Sequence, residues 1–214
     1  MTASATRYLY LARHGEALPE QSGPGQSGPG LSENGRRQAV LLGRRLRDVP
    51  LAAVHHGPLP RAAQTARLVG EQLGAVPLRV DEAAGDYLPC VPGRAELPAD
   101  SADLLLDFLG EVSQAEREHG AALAAEAIAR FTGPVAGEVD RHELVVTHAF
   151  LVGWLVRHAL DAPDWRWLGH NSANAALTVI RYAPGRPATV ITVNDQRHLP
   201  TELRWTGFPP EWQI

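Results

Sequence analysis

The chain has 214 residues, 44% of them hydrophobic and 21% charged, enough for one compact domain with a full apolar core, and a single domain over residues 1–214 is expected. Its formal net charge is −4, Arg far outnumbers Lys, and no basic run is interleaved with aromatics, which speaks against a nucleic-acid partner. An anionic substrate must therefore be drawn by a local cluster of Arg and His against a mildly repulsive whole.

Residues 7–12 alternate aromatic and aliphatic side chains as a short buried strand does, and they run directly into Arg13-His14-Gly15-Glu16. Residues 21–30 carry Gln-Ser-Gly-Pro-Gly twice in succession, which predicts a loop, either a flexible flap or a plain linker. Ser32 is the expected N-cap of a helix reaching to about Asp48, with Ala39, Leu42 and Leu46 on one face and arginines outside. A second strand is expected over 51–56, then a helix over 58–73, opened by prolines, ended by Gly74 and carrying Arg61 in its first turn. After a third strand over 76–80 comes a Pro-rich segment, 86–98, containing the lone cysteine, Cys90. That single cysteine excludes an intramolecular disulfide; packing suits it better than nucleophilic work, and a reducing cytoplasm is the expected location.

Helical patterns follow over 102–112 and 114–131, then a fourth strand over 143–147, which His148 ends as His14 ends the first. A helix over 149–160 and a hairpin pairing 175–182 with 188–194 across Pro184-Gly185 complete the pattern. The longest apolar run, around 144–156, is broken by Thr147, His148 and Gly153, and the N-terminus lacks a long hydrophobic stretch behind basic residues. Neither a membrane span nor an export signal is expected. Strands alternating with helices predict a three-layer α/β/α sandwich around a mostly parallel sheet.

In such sheets ligands bind beyond the C-terminal strand ends, where both His14 and His148 are placed. Arg13 leaves the same strand as His14, and Arg61 opens the helix after strand two, so two guanidiniums and two imidazoles can converge. Phosphate suits that set: guanidinium forks match its oxygens, and a neutral imidazole is a nucleophile near neutral pH. The helix start at Arg61 would add unpaired N–H donors. A cation in a first helical turn opposes the helix dipole, a conflict that a bound anion resolves.

Leu11-Ala-Arg-His-Gly-Glu16 resembles the Arg-His-Gly motif of the histidine phosphatase, or phosphoglycerate mutase-like, superfamily. Residues 31–39 resemble its capped helix, 58–66 its second arginine segment and 145–149 its second histidine segment, in the same order. The C-terminal half, with His170-Asn-Ser-Ala-Asn174 and Thr206-Gly-Phe-Pro-Pro210, is most similar to the protein-phosphatase-like branch. The resemblance implies that His14 attacks phosphorus and that water then hydrolyses the phosphohistidine, with Arg13, Arg61 and His148 binding the phosphoryl oxygens and no metal or organic cofactor. A carboxylic acid must protonate the leaving oxygen. Asp81, Glu82 and Asp86 are the candidates. Asp86, twenty-five positions beyond Arg61 and ahead of Pro89 and Pro92, is the choice, in a pocket that keeps it protonated by desolvation; Asp81 and Glu82 are read as solvated strand-end residues. Gly57 stands where many relatives carry Ser, so the hydroxyl contact to phosphate is expected to be either missing or replaced by a backbone N–H.

The substrate implied is a phosphorylated small molecule first and a phosphoprotein second. The competing readings are a mutase-type transfer, a non-catalytic phosphate-binding relative, and a metal hydrolase using His55, His56, His170 or His198. The last is disfavoured, because neighbouring histidines on a strand point to opposite faces and no paired metal-ligand motif occurs. Glu16 is assigned a hydrogen-bonding role outside the catalytic set. Trp205, Phe208 and Trp212 are expected to pack on the domain itself, with a homodimer contact as the alternative.

Overall fold

The computed structural model describes residues 3–19 and 28–213. Most of the 21–30 loop therefore lies outside the described residues. Its end is tied down: Leu18 N–H donates to the Gly30 carbonyl, and Leu31 N–H to Oε1 of Gln64.

In chain order the elements are β1 (Ser4–Ala5), β2 (Arg7–Arg13), α1 (Glu33–Leu46), β3 (Leu51–His56), α2 (Pro60–Gly70), β4 (Leu78–Val80), α3 (Ala102–Leu109), α4 (Gln114–Phe131), β5 (Val135–Ala136), β6 (Arg141–Thr147), α5 (Ala149–Ala159), β7 (Leu177–Tyr182) and β8 (Thr189–Asp195). β1 and β5 form a small antiparallel pair. The other six strands make one sheet in the order β4-β3-β6-β2-β7-β8. The pairings β4-β3, β3-β6 and β6-β2 are parallel, and β2-β7 and β7-β8 are antiparallel, so the sheet is mixed. The antiparallel part is the hairpin, whose short connection permits no crossover.

The alternation of side chains along each strand builds two cores. Leu9 and Leu11 of β2, Val145 of β6 and Ile180 of β7 pack with Ala124, Phe131 and Leu155 of α4 and α5. Ala12, Leu144, Val146, Leu177 and Val179 face the other way, onto Leu42, Leu46, Ala66 and Val69 of α1 and α2. The sheet thus lies between two helical layers. Among the described residues no helix is long and apolar enough to cross a membrane.

Element ends differ from expectation where a local device intervenes. Ser32 caps α1 through the Gly35 N–H, but α1 stops at Leu46. α2 starts at Pro60, whose missing N–H suits a first helical position. α3 stops at Leu109 because Gly110 takes a left-handed φ of 62°. β4 is short and exposed, an edge strand with only β3 beside it.

Candidate active site

β2 and β6 are parallel neighbours with Arg13 opposite Thr147, so His14 and His148 emerge side by side at one edge of the sheet. The His14 N–H donates to the Thr147 carbonyl at 2.9 Å, and the two imidazole centroids lie 5.0 Å apart. β3 flanks β6 on its other side, and the segment after it brings in Arg61 from the first turn of α2.

The turn after His14 is held by close backbone approach. A Cβ on Gly15 would strike the Gly35 carbonyl, and one on Gly35 would strike the Glu16 carbonyl, so the Arg-His-Gly turn and the start of α1 fit only as glycines. Gly15 N–H donates to Oγ1 of Thr65 at 3.0 Å, Glu16 N–H to Oε1 of Gln38 at 2.8 Å, and the Asn174 amide to the His14 carbonyl at 3.0 Å. Glu16 itself accepts from the Ser32 hydroxyl, the hydrogen-bonding role expected of it.

His14 is buried, and its Nδ1 lies 2.7 Å from the Gly15 carbonyl. A carbonyl only accepts, so Nδ1 carries the proton and Nε2 keeps a lone pair. Nε of Arg61 donates to that Nε2 at 3.2 Å. Burial, then the neighbouring His148 and Arg13, hold the His14 pKa well below the ordinary histidine range. Burial, Arg61 and Arg13 push His148 down to about 3. Both rings are neutral at physiological pH. Neither ring nitrogen of His148 has a hydrogen-bond partner among the described residues, although both are buried.

Arg13 donates from Nη1 to the carbonyls of Ser172 (2.7 Å) and Gly207 (3.3 Å), while its buried Nε finds no partner among the described residues. Burial lowers its pKa to about 10, which leaves it charged at neutral pH. Arg61 pairs through Nη2 with Oδ2 of Asp86 at 2.6 Å, and the same oxygen lies 3.4 Å from Nδ1 of His148, close but outside hydrogen-bond geometry. All five residues singled out in the sequence, Arg13, His14, Arg61, Asp86 and His148, thus meet in one place.

Four details correct the sequence reading. Asp86 is not desolvated: its side chain is 34% exposed and bound to Arg61. Asp81 is not a solvated strand end but buried. Its Oδ1 accepts the Ala83 N–H to cap the short turn Glu82–Ala84, and its Oδ2 accepts from Arg130 at 3.0 Å. Gly57 does not offer its N–H to a ligand, because Val146 takes it, and a Cβ there would strike the Ala84 carbonyl, which excludes a serine from this backbone. Finally, Ala62 and Ala63 both direct their N–H groups to the Leu59 carbonyl, and Pro60 has none, so of the first-turn donors expected of α2 only the Arg61 N–H is without a partner among the described residues.

Sequence reasoning missed Thr65, Gln38 and Asn174. Thr65 was findable, since it follows Arg61 by four positions on one helical face and donates to the Arg61 carbonyl at 2.7 Å. Asn174 lies in the His170–Asn174 segment that carries the family resemblance, but its contact with the site, beside the positive-φ turn at Ala175, was not legible from it. The histidines considered as metal ligands are held separately. His55 packs on the edge of Phe131, His56 bonds the Gly57 carbonyl and His198 the Ala175 carbonyl.

A family model described as the histidine phosphatase superfamily, branch 1, matches residues 9–196, a span that contains every one of these contacts except those of the C-terminal segment. The chain belongs to the histidine phosphatase superfamily. Among curated proteins, this histidine phosphatase is 28% identical over 211 residues to the mitochondrial serine/threonine-protein phosphatase Pgam5 of Caenorhabditis briggsae, covering 95% of the chain and 69% of that relative. It is 29% identical to the Caenorhabditis elegans protein of the same name, covering 92% and 66% respectively, so the chain spans about two thirds of the length of these relatives. Among solved structures, Bacillus stearothermophilus YhfR superposes with a TM-score of 0.65 at 26% identity, over 90% of this chain and 98% of that one. A mycobacterial glucosyl-3-phosphoglycerate phosphatase gives 0.61 at 25%, over 89% and 99%. Membership and these relatives make the chain a phosphoric monoester hydrolase, and a phosphohistidine mechanism is typical of the family.

The expected cytoplasmic location is overturned, since the curated relatives are named as mitochondrial. A cysteine count separates oxidising from reducing compartments and does not separate one reducing compartment from another.

Proposed function

We propose that this histidine phosphatase hydrolyses phosphomonoesters in two steps, with Nε2 of His14 as the nucleophile. The lone pair on Nε2 forms the N–P bond as the P–O bond to the leaving group breaks. Asp86 gives its proton to the departing oxygen. Water then attacks phosphorus, Asp86 takes a proton from it, the N–P bond breaks, and inorganic phosphate leaves with His14 restored. Arg13, Arg61 and the single ring N–H of neutral His148 hold the three phosphoryl oxygens, where charge accumulates as the bond to the leaving oxygen loosens. A phosphoryl group that draws Arg61 onto its own oxygens frees Asp86 to carry the proton. The positive charge comes from two arginines, so no metal has a step to perform.

The observation that carries this reading is the hydrogen bond from Nδ1 of His14 to the Gly15 carbonyl, which leaves Nε2 unprotonated and aimed at Arg61. The relatives' names cover a serine/threonine-protein phosphatase and a glucosyl-3-phosphoglycerate phosphatase, and what the two share is a phosphomonoester substrate. The test is a rapid acid-free quench with a phosphomonoester. The native protein should accumulate a phosphoryl adduct on His14 that acid removes, turnover should persist after exhaustive EDTA treatment, and His14→Ala should lose at least roughly a thousandfold in kcat. An active His14→Ala protein, or EDTA-sensitive turnover restored by a metal, defeats the mechanism.

A further inference from the structure

Beside the phosphate-binding residues lies a groove of about 320 Å³ whose ten lining residues include eight apolar ones. One wall is α3. This helix reads Ala-Asp-Leu-Leu-Leu-Asp-Phe-Leu, yet only Ala102 is buried, while Leu104 and Phe108 are 72% and 63% exposed. A helix this apolar normally buries a full stripe against its own domain, so a face left this open fits a ligand better than a packing role. The floor is an aromatic stack in which Phe150 meets Trp167 edge-on at 5.0 Å and Phe108 meets Phe150 at 6.3 Å. Trp212, 59% exposed, closes one side.

The groove is continuous with the catalytic residues along the chain. Ala149 and Phe150 line it and directly follow His148. Asn171 lines it and directly precedes Ser172, whose carbonyl holds Arg13. The polar contribution is confined to this end, at His170 and Asn171, and both ring nitrogens of His170 are buried with no hydrogen-bond partner among the described residues. In a phosphomonoester, one oxygen links phosphorus to the rest of the substrate, so whatever that oxygen carries must lie immediately beside the phosphate. A polyol would need donors and acceptors along the wall, which eight apolar residues do not offer. An aromatic ring needs edges and faces to stack on, which they do.

We infer that this groove receives the leaving group, and that the preferred substrates are phosphomonoesters of aromatic alcohols. The inference rests on the phosphatase reading above and specifies its substrate class. The same ester occurs in small aryl phosphates and in phosphotyrosine side chains, and the groove recognises the ring they share.

Aryl phosphates also react faster by chemistry alone, so the test must read binding apart from turnover. Benzylphosphonate and ethylphosphonate keep the phosphorus dianion and cannot lose their organic group. With native protein, benzylphosphonate should inhibit about tenfold more tightly than ethylphosphonate, the scale for burying one ring on an apolar wall. In Leu104→Ala and Phe108→Ala the preference should shrink about fivefold; both side chains are largely exposed, so the core is untouched. Comparing kcat/KM for 1-naphthyl phosphate and for a phosphotyrosyl peptide then distinguishes the two sources. Equal inhibition by the two phosphonates, or a preference that survives both substitutions, overturns the inference and leaves the phosphatase reading intact. A shift from dimer to monomer in sedimentation on Phe108→Ala, with the preference unchanged, would assign the face to a second copy and also overturn it. If no phosphomonoester, alkyl or aryl, is hydrolysed, the phosphatase reading falls and takes this inference with it.

Discussion

The residues proposed to meet the phosphate and those proposed to surround the rest of the substrate are built in contrasting ways. Around His14, Gly15 N–H, Glu16 N–H and the His14 carbonyl each have a side-chain partner from a different element, namely Thr65, Gln38 and Asn174. In the groove, Leu104, Phe108 and Trp212 stand largely exposed. Stabilising developing charge requires donors fixed in advance, because reorganisation during reaction would cost what the donors contribute. Recognising a ring requires only complementary shape, which exposed side chains on a short helix supply and can exchange without disturbing the core. Substitutions around the phosphate should therefore be severe and specific, and those on the groove mild and selective.

The strongest break of that contrast is at the two carboxylates. Asp86→Asn should slow hydrolysis of an alkyl phosphate by about a hundredfold, the usual scale of a lost general acid, and of p-nitrophenyl phosphate far less, because that leaving group departs as a stable anion. Asp81→Asn should leave this leaving-group dependence alone and destabilise the fold instead, by about 1–2 kcal/mol, since it weakens a cap and a pair with Arg130. Measured kcat/KM values on both substrates and urea midpoints of both variants decide. Matching losses on both substrates in Asp86→Asn would remove it from the proton-donor role.

Next comes Thr65→Val, which keeps the shape and deletes the acceptor for Gly15 N–H. A buried donor left without a partner should cost roughly 1–3 kcal/mol in stability, read from denaturant unfolding at constant m-value. An unchanged midpoint would show that the Arg-His-Gly turn does not depend on this bond.

The remaining expected effect is a pH dependence. His148 has a folded pKa near 3, below the ordinary 6.5 of an unfolded chain, so between those values the unfolded state binds more protons. Stability is fully present above about pH 6.5 and falls as pH drops towards 3. From pH 7 to 5 the loss for this one group is about 2 kcal/mol, and His14 acts in the same direction. His148→Asn should flatten that slope in urea unfolding between pH 5 and 7; an identical slope would refute the assignment.

What the sequence disclosed, and what it hid, follows the range of the interactions. The strand ends at His14 and His148 were legible because β2 and β6 carry apolar runs that stop at those residues, and Ser32 announced α1 because a cap acts over three positions. The sequence favours Asp86 through its spacing to Arg61 and hides that Asp81 is buried. The two carboxylates differ through Arg61 and Arg130, which lie 25 and 49 positions away from Asp86 and Asp81 respectively. The fate of the Gly57 N–H depends on Val146, and the hold on Arg13 depends on Ser172 and Gly207, 159 and 194 positions on. The open face of α3 was also invisible. Its apolar pattern reads as core, and only the fold reveals that nothing covers it among the described residues.

Those long separations also order events during synthesis. Arg13 and His14 leave the ribosome before either of the strands beside β2, which lies in the sheet between β6 and β7, both made more than a hundred residues later. Until then its apolar residues have no sheet to join, and the guanidinium of Arg13 waits for the carbonyls of Ser172 and Gly207. Closing contacts of such separation is intrinsically slow, which exposes β2 to mispairing in the interval. The contacts that position this imidazole and Arg13 are consequently completed only once β6, β7 and the segment at Gly207 have been made.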